Sequence, residues 1–239
     1  MKKSLLVLIF VGMLYPVYSQ DIEISDEKGS PVNFGVDLYN RYVWRGLLFS
    51  DAPNIQPWIS ADWKGLTFMC WGSYATSRDY SEVDIFLSYK WNGLTIGLND
   101  YFNPSIDGVR NDYSIWKETT TPHLVEAYLM YKLPVEKFPF EFTASTFVYG
   151  ADRDENLKNR YSTYVELLYP FVSGSNNISL FAGATVNKGY YATKAAFVNV
   201  GGKFLRNIKV TQDFEIPLTA SLIFHPENRN VFLVVGFSF

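Results

Sequence analysis

Acidic side chains recur at alternate positions along this chain, each inside a run whose intervening residues are apolar. They are Asp37, Asp62, Glu82, Asp84, Glu126, Glu141, Glu166 and Glu215, and three bases, Arg41, Lys90 and Lys203, share their parity. Carboxylates lining a wet passage attract cations, as rings of acids do in channels. The same groups can instead neutralise one another and fill an interior, because an unpaired buried charge is costly. Hydrolytic chemistry needs a nucleophile beside a base that a third group orients. The two histidines, His123 and His225, each lack a serine two residues away, and their strands are not neighbours on this reading. Cys70 reads as a small apolar strand residue. No phosphate-cradling glycine loop or EF-hand spacing is present, so no catalytic residue, cofactor or metal is expected.

The elements that position these residues have a period of two, the signature of strands. Twelve runs alternate, counted along the sequence: Phe34–Trp44, Ile55–Trp63, Leu66–Tyr74, Glu82–Trp91, Leu94–Asn99, Val125–Tyr131, Phe138–Phe147, Tyr161–Tyr169, Ile178–Asn187, Val198–Phe204, Glu215–Phe224 and Val231–Phe239. Each approaches the ~9–11 residues with which a tilted strand crosses a bilayer. The connections alternate in length. Lys64-Gly65, Asn92-Gly93, Leu133–Lys137, Val172–Asn177 and Arg206–Lys209 are short, whereas Arg45–Pro53, Ala75–Ser81, Asn103–Pro122, Gly150–Asn159 and Lys188–Lys194 are mostly longer and polar. Short turns at one end and longer loops at the other describe an outer-membrane barrel with periplasmic turns and extracellular loops. A soluble sandwich or lipocalin-like barrel shares the turn signals. The polar inward set and the aromatics at run ends, Trp44, Trp63, Trp91, Tyr131, Tyr169 and Phe171, favour the membrane.

Composition agrees. Lys and Arg number 21 against 24 Asp and Glu, a net charge of −3 that lacks the basic excess of a nucleic-acid binder. Aromatics make up 18% of the chain, and 48% is hydrophobic, far too apolar for disorder. Lys2 and Lys3 precede an apolar stretch from Leu5 to Val17, and Val17-Tyr18-Ser19 fits a cleavage site. Residues 1–19 therefore read as a secretory signal, 20–33 as a short periplasmic segment, and 34–239 as the barrel.

Two stretches carry a resemblance. Val231, Leu233, Val235, Phe237 and Phe239 alternate to the last residue, which resembles the terminal signature of bacterial outer-membrane proteins. In that class the signature is read by the barrel-assembly machinery. Asn40-Arg-Tyr-Val-Trp-Arg-Gly46, Ser50-Asp51, Gln56-Pro57 and Gly65–Gly72 resemble the TorF-type porin family, as do Glu82-Val-Asp84 and Asp100-Tyr-Phe102. Trp44 stands where that family usually has Phe, and the match spans about residues 34–102. The resemblance implies an outer-membrane barrel of a Gram-negative bacterium and a diffusion channel.

The combined expectation is an all-β, membrane-spanning, antiparallel up-and-down barrel of about 12 strands that passes small solutes and prefers cations. Its partners would be outer-membrane lipids, the assembly machinery and small solutes, not nucleic acid. Bulky inward residues Trp58, Phe86, Tyr128, Phe147, Tyr164 and Phe181 predict a narrow lumen. A closed barrel with a structural or surface-binding role and a lipid-modifying enzyme are the alternatives. The long loop 103–122 either constricts the lumen or lies on the surface.

Overall fold

A computed structural model describes residues 31–103, 112–135, 138–174 and 176–239. The expected signal 1–19 and most of the segment 20–33 lie outside the described residues. The strands are β1 (Val32–Tyr39), β2 (Tyr42–Trp44), β3 (Leu47–Ser50), β4 (Asn54–Trp63), β5 (Leu66–Ala75), β6 (Ser81–Trp91), β7 (Leu94–Phe102), β8 (His123–Lys132), β9 (Glu141–Gly150), β10 (Thr163–Ser173), β11 (Asn176–Thr185), β12 (Ala196–Lys209), β13 (Glu215–His225) and β14 (Asn230–Ser238). All but β2 and β3 form one closed antiparallel barrel of twelve strands, each pairing with its neighbours in sequence. The seam joins β1 to β14 through Asp37↔Ser238, Leu38↔Phe237 and Tyr39↔Gly236.

Alternation explains the closed wall. Ile59, Phe68, Leu87, Ile96, Leu98, Leu167, Leu180, Leu222 and Leu233 point outward and are exposed, whereas Glu82, Asp84, Glu126 and Glu166 on the opposite parity are buried. A continuous apolar outer belt around a polar interior is the reverse of a soluble domain and suits lipid. Lys64-Gly65 and Asn92-Gly93 make tight two-residue turns with both residues at positive φ, as the twist of the flanking strands demands.

Inside the wall, large rings lie over cross-strand glycines. Trp58 faces Gly35, Tyr128 faces Gly97, Phe181 faces Gly201 and Tyr39 faces Gly236. A Cβ at any of these glycines would come within 2.8 Å of its ring, so each glycine clears the space its partner occupies.

The structure differs from the sequence reading in four places. The first run is not one strand, because β1 ends at Tyr39 and Tyr42–Trp44 turns into a separate hairpin with Leu47–Ser50. Trp44 is therefore buried inside the barrel instead of joining an aromatic girdle. Arg206–Lys209 is not a turn but the end of a long β12, and the chain reverses after Lys209. Val198, expected to face outward, is fully buried. It is the extra residue of a bulge, since Gly183 pairs with Asn199 and Ala184 with Phe197. A second bulge leaves Val148 unpaired opposite Val125 and Glu126. Such bulges re-aim side chains, and both border the site described next.

Candidate functional site: a hairpin inside the barrel

The β2–β3 hairpin enters the barrel from the end that carries its longer loops. Its turn is Arg45-Gly46, with φ of 49° and 80°, the same left-handed pair as Lys64-Gly65 and Asn92-Gly93. Glycine is required at the second place for a further reason, because a Cβ on Gly46 would lie 1.9 Å from the carbonyl oxygen of Val198. The bulge in β12 thus receives the tip of the hairpin. Arg45 in a left-handed conformation costs of order 1–3 kcal/mol, which its contacts must offset.

Those contacts enclose the guanidinium. Arg45 Nη1 donates to Glu126 Oε1 at 2.5 Å, and Nη2 donates to Oε2 at 3.1 Å, a bidentate fork. Nη1 also donates to the Tyr191 hydroxyl at 2.5 Å. The guanidinium carbon lies 4.4 Å from the centre of the Trp44 ring, 4.5 Å from that of Tyr164 and 5.7 Å from that of Tyr191. Stacking on aromatic faces adds cation–π attraction in a desolvated place. The Glu126 side chain is fully buried and its pairing with Arg45 leaves no net charge.

Glu126 is held independently of the hairpin. On β7, Tyr101 donates to its Oε2 at 2.8 Å and Asn99 Nδ2 donates to the same oxygen at 3.3 Å. Burial pushes the Tyr191 phenol above its ordinary range, so it stays neutral; its hydroxyl also lies 3.5 Å from Glu126 Oε1. Next to this pair, Tyr164 donates to Glu166 and Asn199 Nδ2 donates to Glu166 Oε2 at 2.8 Å.

Around the polar centre the lumen is filled. Tyr42, Trp44, Trp71, Phe86, Tyr101, Leu124, Phe147, Tyr164, Tyr191 and Val198 form one buried cluster. Tyr190 and Tyr191 come from the β11–β12 loop, so two loops enter the barrel. A cavity of about 10 Å³ beside the hairpin, lined by Tyr42, Trp44, Glu82, Tyr101, Phe147 and Tyr190 among others, has room for about one water.

The inward acids divide by depth. Glu82 accepts from the Tyr80 hydroxyl at 2.9 Å, and Asp84 and Asp37 are buried with one carboxylate oxygen each unpartnered. Glu141 pairs with Lys132 at 3.1 Å, and Thr67 donates to Asp62 near the Lys64-Gly65 turn. Lys203 is half-buried on the inward parity of β12. Lys90 and Glu215 are exposed at the short-turn ends of β6 and β13. Arg41 lies past the end of β1 and pairs with Asp51 at 3.2 Å, so it stands at the mouth on the long-loop end instead of along the lumen. Val231, Leu233, Phe237 and Phe239 are exposed along the outward parity of β14 and its end, and Val235 shares that parity.

Arg45 and Tyr191, the centre of the site, were not among the residues the alternation singled out. Arg45 did stand in the quoted Asn40–Gly46 motif, and its Arg-Gly pair repeats the pattern of Lys64-Gly65 and Asn92-Gly93, flanked by Tyr42-Val43-Trp44 and Leu47-Leu48-Phe49. That was the available hairpin signal.

Of the described part of the long loop, Asn103 lines the cavity and donates to the Tyr80 hydroxyl at 2.8 Å, whereas Tyr113 and Trp116 lie against the outside of the wall. Trp116 stacks on His123 at 3.8 Å, and Tyr113 donates to Asp100 Oδ2 at 2.6 Å, both on the outward parity of the wall. Asp107 and Arg110 lie outside the described residues. His123 has a carboxylate partner that spacing alone did not reveal, since Nδ1 is 2.8 Å from Asp100 Oδ1. Its Nε2 is 3.0 Å from the Tyr113 carbonyl, so both ring nitrogens face acceptors and neither faces a nucleophile.

No family model matches the chain, and no curated protein does. Among solved structures, the chain is similar to one titled KdgM porin, with 10% sequence identity and a TM-score of 0.49 over 86% of this chain and 97% of that one.

Proposed function

We propose that the protein is an outer-membrane channel of porin type in a Gram-negative bacterium, passing small solutes with a preference for cations, and that the first hairpin holds it shut. One observation carries this reading: the barrel is closed and lipid-suited outside, and the extracellular half of its acid-weighted interior is stopped by a segment attached only through the loops at its ends. A barrel built only as a wall needs no separable plug with its own ion pair. Outer-membrane lipids contact the apolar belt, and the assembly machinery reads the alternating end of β14. Residues 1–19 direct export.

The aromatic filling favours a second reading, a permanently closed barrel that binds partners through its loops. Planar-bilayer recordings separate the two. A variant with Tyr42–Ser50 replaced by a short Gly/Ser loop is expected to conduct steadily, and the unmodified protein to show brief openings. Silence in both, with the variant correctly folded, would leave the closed barrel.

A further inference from the structure

The pocket that holds Arg45 has the parts of a receptor. Glu126 offers two oxygens to a planar fork, the Tyr191 hydroxyl accepts a third hydrogen bond, and the Tyr164 ring supplies a π-face at 4.5 Å. All three belong to the wall or to the β11–β12 loop, not to the hairpin. Asn99 and Tyr101 fix the carboxylate from β7 whether or not Arg45 is present. Withdrawal of the hairpin therefore leaves a preorganised carboxylate that no other base among the described residues pairs with, a place that favours another cation. A guanidinium matches the bidentate geometry as an ammonium does not.

We propose that this pocket is a recognition site for guanidinium-bearing solutes, and that Arg45 is a tethered stand-in for them. A solute entering from outside competes with Arg45, binds Glu126 and Tyr164, and keeps the hairpin out while it passes. The inference rests on the channel reading for its transport meaning, but the site itself is testable without conduction.

The test uses full-length Arg45→Ala protein in detergent micelles, with thermal unfolding followed by tryptophan fluorescence. Methylguanidinium at millimolar concentration is expected to raise its midpoint saturably by a few degrees, by mass action on the folded state. Methylurea, similar in shape but neutral, is expected to leave the midpoint unchanged, and Arg45→Ala/Glu126→Gln to ignore both. Equal responses to the two probes, no response, or a response that survives Glu126→Gln would overturn the site. If Arg45→Ala does not fold, Arg45→Met replaces it, keeping the apolar stem. Liposome entry through the variant lacking the hairpin gives a second measurement: guanidinium is expected to enter several-fold faster than urea, and equal rates refute the proposal. A silent barrel that still responds to methylguanidinium would lose the channel and keep the site. A conducting barrel that ignores it would lose the site alone.

Discussion

At the scale of single residues, the Arg45–Glu126 pair decides how firmly the hairpin sits. Removing one partner from a buried ion pair costs roughly 3–5 kcal/mol, whereas replacing both by apolar groups is often near neutral. Glu126→Gln and Arg45→Met are each expected to destabilise the barrel by that order, and Arg45→Met/Glu126→Leu by less than either, in reversible urea unfolding from lipid vesicles. Additive losses would show that the two groups act independently. The sequence placed Glu126 inside the barrel because parity is a local property. It did not place Arg45 beside it, because the two are 81 residues apart and meet only through the three-dimensional closure of the wall. Glu166 carries the same lesson. Parity alone makes substitution there cheap, but Tyr164 and Asn199 bond its carboxylate, so Glu166→Arg is expected to be costly.

At the scale of elements, the hairpin and the β12 bulge fit as tip and socket. Gly46→Ala combines a positive φ with a carbonyl oxygen 1.9 Å from the new methyl, so the tip cannot stay seated. Trypsin added to the extracellular side is expected to cut after Arg45 in Gly46→Ala and to spare that bond in the unmodified protein; equal cleavage by mass spectrometry would refute the socket. The wall strands make a depth prediction. Leu167 is exposed on the outer face of mid-β10 and would face the apolar core of a bilayer, whereas Phe171 lies toward the short-turn rim. Arg costs about 2–4 kcal/mol at the midplane and about 0–1 near an interface on the lipid side. Leu167→Arg should therefore unfold at lower urea than Phe171→Arg, and the reverse order would misplace the bilayer. Twelve wall strands were legible because alternation repeats at every crossing, with Lys64-Gly65 and Asn92-Gly93 marking two of the turns. The hairpin was not, because Tyr42-Val43-Trp44 continues the alternation of β1 without a break. Bulges at Val148 and Val198 were also hidden, since one inserted residue changes pairing without changing composition.

At the scale of the whole molecule, the interior charge is uneven. None of the ion pairs among the described residues includes Asp37, Glu82 or Asp84. On the proposed channel reading, an open lumen would carry a negative potential that draws cations in. Screening confines it to about 10 Å at 0.1 M salt, so the preference should weaken as salt rises. Glu82→Gln/Asp84→Asn is expected to reduce cation preference in reversal-potential measurements on the variant lacking the hairpin, and anion selectivity before those substitutions would sink the idea. The seam has a consequence of a different kind. It is held by three register pairs and by two backbone hydrogen bonds between Val36 and Phe239, and at its other end Asn40 donates its N–H to Val235 O at 2.9 Å while its side chain accepts from Val235 N at 2.8 Å and donates to Leu233 O at 3.2 Å. The Asn40 contacts link residues 193 and 195 positions apart, the kind of pairing a chain reaches late. The hairpin follows β1 directly, so the strand that closes the wall also carries the segment that fills it. Fraying of this one seam would loosen the plug's anchor together with the wall.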